Sequence, residues 1–139
     1  MKFLLDTHAL VWLLSSNCKG LPIDIRESII YCEDVYFVSE ISLIEIIQLQ
    51  QGKKIDLKYS PSTIRDIIEQ NNIMILPATE DILDKFYTLP IPVINGSSHS
   101  DPFDQLIIST ALRRGLTLIS ADMKFPWYEE HCKLQLRKL

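Results

Sequence analysis

Apolar residues recur along the chain at two spacings, one typical of buried strands and the other of helices that cover a sheet. Short apolar runs, rich in β-branched and aromatic residues, indicate strands. These runs predict strands at 2–5, 35–38, 73–76 and 116–120, with a short fifth at 134–136. Between the runs, helical spacing with capping residues predicts helices at 7–14, 21–32, 39–51, 60–70, 79–87 and 101–114.

Strands that alternate with helices predict a parallel sheet that is covered on both faces. The expected fold class is α/β, a three-layer α/β/α sandwich whose central, mainly parallel sheet has four to five strands. At 139 residues and without a recognisable linker, the chain is interpreted as a single domain, residues 1–139. Residues 89–100 form one long irregular stretch, and long loops in compact domains are often functional.

Several carboxylates stand where a solvated charge is not expected. Asp6 and Asp122 come directly after apolar strands, at the end of a parallel sheet where ligands bind. Glu45 shares a helix face with Ile41 and Leu49, and Asp104 begins a helix face that continues with core residues. These positions predict an acidic cleft.

Each carboxylate also has a purely structural interpretation. Asp6 and Asp122 are suited to cap a following helix or turn, and Glu45 to pair with one buried base. Asp104 suits the positive end of a helix dipole, and Asp101 before a proline is a common helix start. The functional interpretation therefore depends on the set rather than on any member.

Carboxylates that share one cleft repel each other by about 4 kcal/mol per pair at ~4 Å and an effective dielectric of about 20. They must take up protons or hold cations. Oxygen ligands without cysteine or histidine select Mg²⁺ or Mn²⁺. One or two such ions suit phosphodiester hydrolysis by an activated water.

The net charge of −4 argues weakly against a nucleic-acid partner. However, removing Asp6, Glu45, Asp101, Asp104 and Asp122 from the 18 acidic residues leaves 13 against 14 basic ones. The acidity thus resides mainly in the predicted site. The candidate phosphate contacts are Lys53, Lys54, Arg113, Arg114, Lys124, Lys133, Arg137 and Lys138.

The apolar runs are too short for a membrane-spanning helix, so no membrane association is expected. The three cysteines are widely spaced and lack a CxxC pair, which predicts neither a disulfide framework nor a zinc site. A reducing cytoplasm is the expected location.

Four segments, taken in order, resemble PIN domains, and most closely the toxin branch of VapBC-type toxin–antitoxin systems. The segments are LLDTHAL at 4–10, VSEISLIEI at 38–46, HSDPFD at 99–104 and LISAD at 118–122. The resemblance covers residues 3 to about 136 and is most specific at HSDPFD.

The resemblance implies a metal-dependent ribonuclease whose catalytic carboxylates are Asp6, Glu45, Asp104 and Asp122. The same four, with Asp101 added, would bind Mg²⁺ or Mn²⁺. Thr7 and Ser120 are expected to support them. Ser120 is expected to bond a carboxylate or a water, or simply to satisfy a strand end.

The implied partners are an RNA substrate, a small antitoxin protein and a second copy of the chain in a homodimer. Two positions depart from the family pattern: Ile44 replaces a usual tryptophan, and Gln105 a frequent arginine. His8 and His99 suit a proton donor, a substrate contact or loop orientation, and Trp12 suits the core or a partner groove. A degenerate RNA-binding or regulatory domain and a structure-specific DNA nuclease are the alternative functions.

Overall fold

The structure is a computed structural model that describes residues 1–15, 18, 20–98 and 101–139. Its centre is a parallel sheet of five strands: β1 Lys2–Leu5, β2 Val35–Ser39, β3 Met74–Leu76, β6 Thr117–Ser120 and β7 Leu136–Lys138. In the sheet these strands lie in the order β3-β2-β1-β6-β7. A separate antiparallel hairpin consists of β4 Val93–Ile94 and β5 Ser97–Ser98.

Helices separate the strands along the chain and cover the sheet. They are α1 Thr7–Leu14, α2 Ile23–Ile30, α3 Glu40–Gln51, α4 Pro61–Gln70, α5 Glu80–Thr88, α6 Pro102–Arg114 and α7 Pro126–Cys132. No helix in the described part of the chain is long and apolar enough to cross a membrane.

The apolar core is divided into two clusters because successive strand residues point to opposite faces. Leu5 and Ile119 belong to the cluster that includes residues of α1 to α4. Leu4 and Leu118, their direct neighbours, belong to the cluster that includes residues of α6 and α7. The three-layer α/β/α prediction is therefore confirmed.

The strand order places a topological switch point between β1 and β6. From β1 the chain builds outward on one side through β2 and β3, and it later returns to the other side of β1 to add β6 and β7. Leu5 is in register with Ile119, so Asp6 and Ser120 follow at the same edge of the sheet. Parallel α/β sheets bind ligands at such a point.

Several details differ from the sequence prediction, among them α2, which spans Ile23–Ile30 rather than 21–32. The stretch 89–100, predicted to be irregular, contains the short hairpin, and the last strand begins at Leu136 rather than at residue 134. Helix α7 was not predicted. It has only seven residues, too few for a clear period, although Pro126 at its first turn is a start signal.

Gly115 ends α6 in the left-handed region, at φ +64°, with open space where a Cβ would stand. We expect Gly115→Ala to lower the free energy of unfolding, measured in urea, by about 1 kcal/mol. The added methyl group meets no neighbour, so the loss comes from the strain of an alanine backbone in the left-handed region.

Gly52 provides a matched control for the urea unfolding measurement. It ends α3 at φ −82°, which alanine adopts without strain. Gly52→Ala should therefore change stability by less than about 0.5 kcal/mol. Equal losses in both variants would contradict the backbone explanation.

Candidate acidic active site

Asp6 lies at the carboxyl end of β1, and only 5% of its surface is exposed. Its Oδ1 accepts a hydrogen bond of 2.8 Å from the Ala9 backbone N–H and thereby caps α1. Its Oδ2 accepts a hydrogen bond from the Ser120 hydroxyl of the neighbouring strand. Burial raises the pKa of Asp6 above its ordinary value, although both hydrogen bonds act in the opposite direction.

Ser120 connects Asp6 with Asp122. Its hydroxyl oxygen accepts a 3.0 Å hydrogen bond from the Asp122 backbone N–H. The Asp122 carboxylate in turn accepts a 2.8 Å hydrogen bond from the Lys124 backbone N–H. Ser120 thus makes the expected bond to a carboxylate, and it fixes the turn that carries the second acid.

Glu45 lies in the middle of α3 and is half-buried. Its Oε1 is buried and has no hydrogen-bond partner in the described structure. Burial raises the pKa of this carboxyl, and the charges of Asp101 and Asp6 raise it further, whereas the charge of His8 lowers it. Glu45 therefore faces the same end of the sheet as Asp6, with an oxygen that lacks a donor.

Thr7 connects α1, which follows Asp6, with α3, which carries Glu45. Its hydroxyl lies 3.0 Å from the hydroxyl oxygen of Ser42, to which it donates, and both residues are buried. The sequence reasoning missed Ser42. The signal was its position three residues before Glu45, which puts it on the same helix face.

Asp101 and Asp104 begin α6. Asp101 is exposed, and its Oδ1 accepts hydrogen bonds of 2.9 Å from the Phe103 N–H and 3.2 Å from the Asp104 N–H. The capping interpretation of Asp101 thus describes what it does in this structure. Asp104 is half-buried above the fully buried Ile107 and Ile108.

An open cavity of about 220 Å³ lies at the switch point. It is lined by Asp6, His8, Trp12, Ala121 and Asp122. Glu45, Asp101 and Asp104 are not among the lining residues. His8 is exposed at this cavity, whereas His99 lies outside the described residues.

The acids are electrostatically coupled but not closely clustered. Among the described residues, no three histidine, cysteine, aspartate or glutamate side chains lie near enough to hold a metal ion together. Asp122 nevertheless raises the pKa of Asp6, and Asp101 raises that of Glu45. Binding an ion through several of these acids therefore requires their side chains to move closer together.

The donor chemistry fits a hard divalent cation. The residues supply carboxylate oxygens, and Oε1 of Glu45 is a buried acceptor whose pairing need is unmet. In the described part of the chain, none of Asp6, Glu45, Asp101 and Asp122 forms an ion pair with a lysine or arginine. A bound cation would give Oε1 of Glu45 a partner and would neutralise the carboxylates that lack an ion pair.

The two departures from the family pattern lie in different environments. Ile44, which stands where a tryptophan is usual, is 47% exposed, so the replacement changes the surface of α3 rather than the core. Gln105 is buried beside Asp104 on α6. A neutral side chain thus occupies the position of a frequent cation.

Half of the candidate phosphate contacts are engaged elsewhere. Arg113 and Arg114 both pair with Asp81. Arg137 pairs with Asp24, and Lys138 with Glu129. Lys53 and Lys54 instead line an open cavity of about 510 Å³ together with Lys58.

A parallel α/β fold with acidic residues at its switch point defines a class of domains in which carboxylates carry the chemistry. A family model described as PIN domain matches residues 3–130, and the chain belongs to this family. PIN domains are typically nucleases and generally use divalent metal ions. A search of curated protein sequences gives no match.

Solved structures share the whole fold at low sequence identity. VapBC2 from Rickettsia felis, bound to a DNA fragment from its promoter, matches with a TM-score of 0.69 and 19% identity over 100% of this chain and 99% of that chain. DNA-bound VapBC from Salmonella typhimurium matches with a TM-score of 0.66 and 20% identity, over 99% of this chain and 98% of that chain. VapBC-1 from nontypeable Haemophilus influenzae matches with a TM-score of 0.58 and 21% identity, over 99% of this chain and 98% of that chain.

The raised pKa of Asp6 makes the stability of the protein depend on pH. The folded protein holds the proton of the Asp6 carboxyl more tightly than the unfolded chain does. The stability that Asp6 contributes therefore falls as the pH rises from 3.8 through the folded pKa. Asparagine does not ionise, and like aspartate it is a favoured helix-capping residue. We expect Asp6→Asn to be more stable than the wild type at neutral pH in EDTA, by urea unfolding.

The advantage should shrink as the pH is lowered through the folded pKa and should vanish below 3.8, where the carboxyl is protonated in both states. Asp66→Asn, on the exposed face of α4, is the control and should show no comparable gain. If Asp6→Asn is less stable at neutral pH, burial of the charge is not the dominant effect.

Proposed function

We propose that the protein is a metal-dependent endoribonuclease and the toxin of a bacterial type II toxin–antitoxin system. The observation that supports this most directly is the pair Asp6 and Glu45, two carboxyls with raised pKa values that form no ion pair with a lysine or arginine among the described residues. Membership of the PIN domain family adds a fold typical of nucleases.

The carboxylates Asp6, Glu45, Asp104 and Asp122 would hold one or two Mg²⁺ or Mn²⁺ ions, with Asp101 as an additional ligand. Such an ion supplies a Lewis acid and lowers the pKa of a water for attack on phosphorus. Ser120 orients Asp6 and the turn at Asp122. Thr7, the first residue of α1, bonds Ser42 of α3 and so connects the helix that follows Asp6 with the helix that carries Glu45.

The likeness to VapBC complexes supports the proposed biological role. These neighbours match this chain over nearly its full length, which supports a small antitoxin as partner. In this proposal the antitoxin blocks the acidic cavity, the toxin forms a homodimer, and it acts on RNA in the cytoplasm. Growth arrest on induced expression, relieved by Asp6→Asn, is the expected result in cells.

Purified protein should cleave RNA in Mg²⁺ or Mn²⁺ and not in EDTA. Asp6→Asn and Glu45→Gln should each lower the cleavage rate by more than about 100-fold, because each removes a negative ligand while preserving shape. The measurement is cleavage of end-labelled RNA under single-turnover conditions. Asp66→Asn should cleave like the wild type.

The same cleavage assay distinguishes the proposed ribonuclease from a DNA nuclease and from a binding or regulatory domain. Metal-dependent cleavage of DNA but not RNA would identify a DNA nuclease. No cleavage of either, with the variants as inert as the wild type, would identify a binding or regulatory domain. Cleavage that survives EDTA would exclude the proposed metal chemistry.

Cation binding should also appear as stabilisation. Because a cation relieves the desolvated charges of Asp6 and Glu45, millimolar Mn²⁺ should raise the melting temperature of the wild type. The shift should be strongly reduced in a double variant, Asp6→Asn with Glu45→Gln. An equal shift in both proteins, at matched ionic strength, would place the cation elsewhere.

A further inference from the structure

The segment that connects α3 with α4, residues 52–60, carries three lysines and is called the lysine loop below. Lys53, Lys54 and Lys58 are exposed and line one open cavity of about 510 Å³. In the parts of the chain that the structure describes, none of them forms an ion pair. Asp56 is the single carboxylate in the cavity lining, so the lining carries a net positive charge in a protein whose net charge is −4.

Alternate residues of the lysine loop are anchored in the apolar core. Ile55, Leu57 and Tyr59 are partly buried and pack against the core cluster on the α1–α4 side of the sheet. Lys54 and Lys58 lie between and beside these anchors and are exposed. The two lysines therefore project from a segment whose neighbouring side chains are fixed.

Hydrogen bonds hold both ends of the lysine loop against helices. The Gln50 side chain accepts a 2.9 Å bond from the Tyr59 N–H and donates a 3.0 Å bond to the Tyr59 carbonyl. The Tyr59 hydroxyl donates to the Leu14 carbonyl at the end of α1, at 3.4 Å, and the Lys54 N–H to the Leu49 carbonyl of α3, at 2.8 Å. The lysines are thus held near one another before any ligand binds, which lowers the entropy cost of binding.

We propose that the lysine loop binds phosphate groups of the RNA strand at a distance from the acidic cavity. The inference rests on the proposed nuclease function and adds a second contact to the same substrate. A lysine ammonium is a compact point charge, and contacts to phosphates position a strand without reading its bases. The lysine loop should therefore strengthen RNA binding whatever the sequence.

The acidic cavity itself gives an RNA strand little electrostatic attraction. Its lining includes Asp6 and Asp122 but no lysine or arginine. Four other candidate phosphate contacts, namely Arg113, Arg114, Arg137 and Lys138, pair with carboxylates. Because affinity for a polyanion comes mainly from cations that neutralise phosphates, three unpaired lysines in one cavity are the group best suited to supply it.

The length of α3 separates the lysine loop from the proposed catalytic acids. Gln51, the last residue of α3, follows Glu45 by six residues, which is about 9 Å along the helix axis. The lysine loop begins directly after Gln51. Phosphates that reach it therefore belong to nucleotides beyond the one in the acidic cavity, and a very short RNA should not reach both places.

A variant with Lys54→Gln and Lys58→Gln tests the proposal, because it removes two charges and leaves the core anchors intact. Binding of a labelled RNA of about 12 nucleotides is measured by fluorescence anisotropy in Ca²⁺, with the RNA shown to be intact by electrophoresis. We expect the Kd to rise about 10-fold. The slope of log Kd against log salt concentration should fall by about 1.4, since each lost phosphate contact removes about 0.7 for a single strand.

The matched control is a variant with Lys2→Gln and Lys85→Gln. It removes the same charge from positions outside the cavity of the lysine loop. Its Kd and salt slope should equal those of the wild type. An equal loss of binding in the control would assign the effect to net charge and overturn the proposal, as would an unchanged Kd in the lysine-loop variant.

Two other ligands define what the lysine loop recognises. An RNA of two nucleotides should bind the wild type and the lysine-loop variant with the same Kd, and a loss of binding as large as that for the long RNA would contradict the separation of the two places. A glutamate peptide with as many negative charges as the long RNA should bind more weakly than the RNA. Tighter, lysine-dependent binding of the peptide would make the lysine loop a protein-docking site and overturn the proposal.

The two proposals fail separately. RNA cleavage by the wild type, together with an unchanged Kd in the lysine-loop variant, retains the nuclease and rejects the second contact. Lysine-dependent binding of RNA without cleavage in any metal retains the contact on a protein that only binds RNA.

Discussion

The burial of one carboxylate, that of Asp6, organises the acidic end of this protein. A charge taken out of water is costly unless hydrogen bonds or a counter-ion compensate it. Here two donors do so, the Ala9 backbone N–H and the Ser120 hydroxyl. Both exist only because β1 lies beside β6 in register and α1 begins directly after β1. The fold therefore specifies the place of the charge, and the raised pKa shows that compensation is incomplete.

The structural and the functional interpretations of these acids do not exclude each other. Asp6, Asp101 and Asp122 each use Oδ1 to accept a backbone N–H at the start of a helix or turn. A carboxylate has two oxygens and about four acceptor sites, so capping leaves capacity for another partner. The same hydrogen bonds that begin the local structure also orient the acids. Glu45 differs, because it caps nothing and has a buried oxygen without a donor.

The sequence predicts features that depend on hydrophobic periodicity and on the direction of the strands. It does not predict contacts between side chains that are distant along the chain. The strand-end positions of Asp6 and Asp122 follow from apolar runs and parallel topology, and both line one cavity. The spacing between acids on different helices does not follow from sequence, and among the described residues no three such side chains lie near enough to hold an ion together. Pairing of Arg114 with Asp81, 33 residues away, is equally invisible in a linear pattern. So is the contact of Gly20 with Trp12.

Stability and activity oppose each other at this site. Neutral side chains at positions 6 and 45 would remove the burial penalty that raises both pKa values. The native residues keep that penalty, which is the behaviour expected of groups selected for chemistry rather than for stability. Within the described residues no lysine or arginine pairs with Asp6 or Glu45, and arginines such as Arg113 and Arg137 are paired with other carboxylates. The charge of His8 lowers both pKa values, but burial outweighs it. In the proposed function this charge is what attracts a divalent ion, so a substitution that made the fold more stable here would also remove the proposed means of holding the metal.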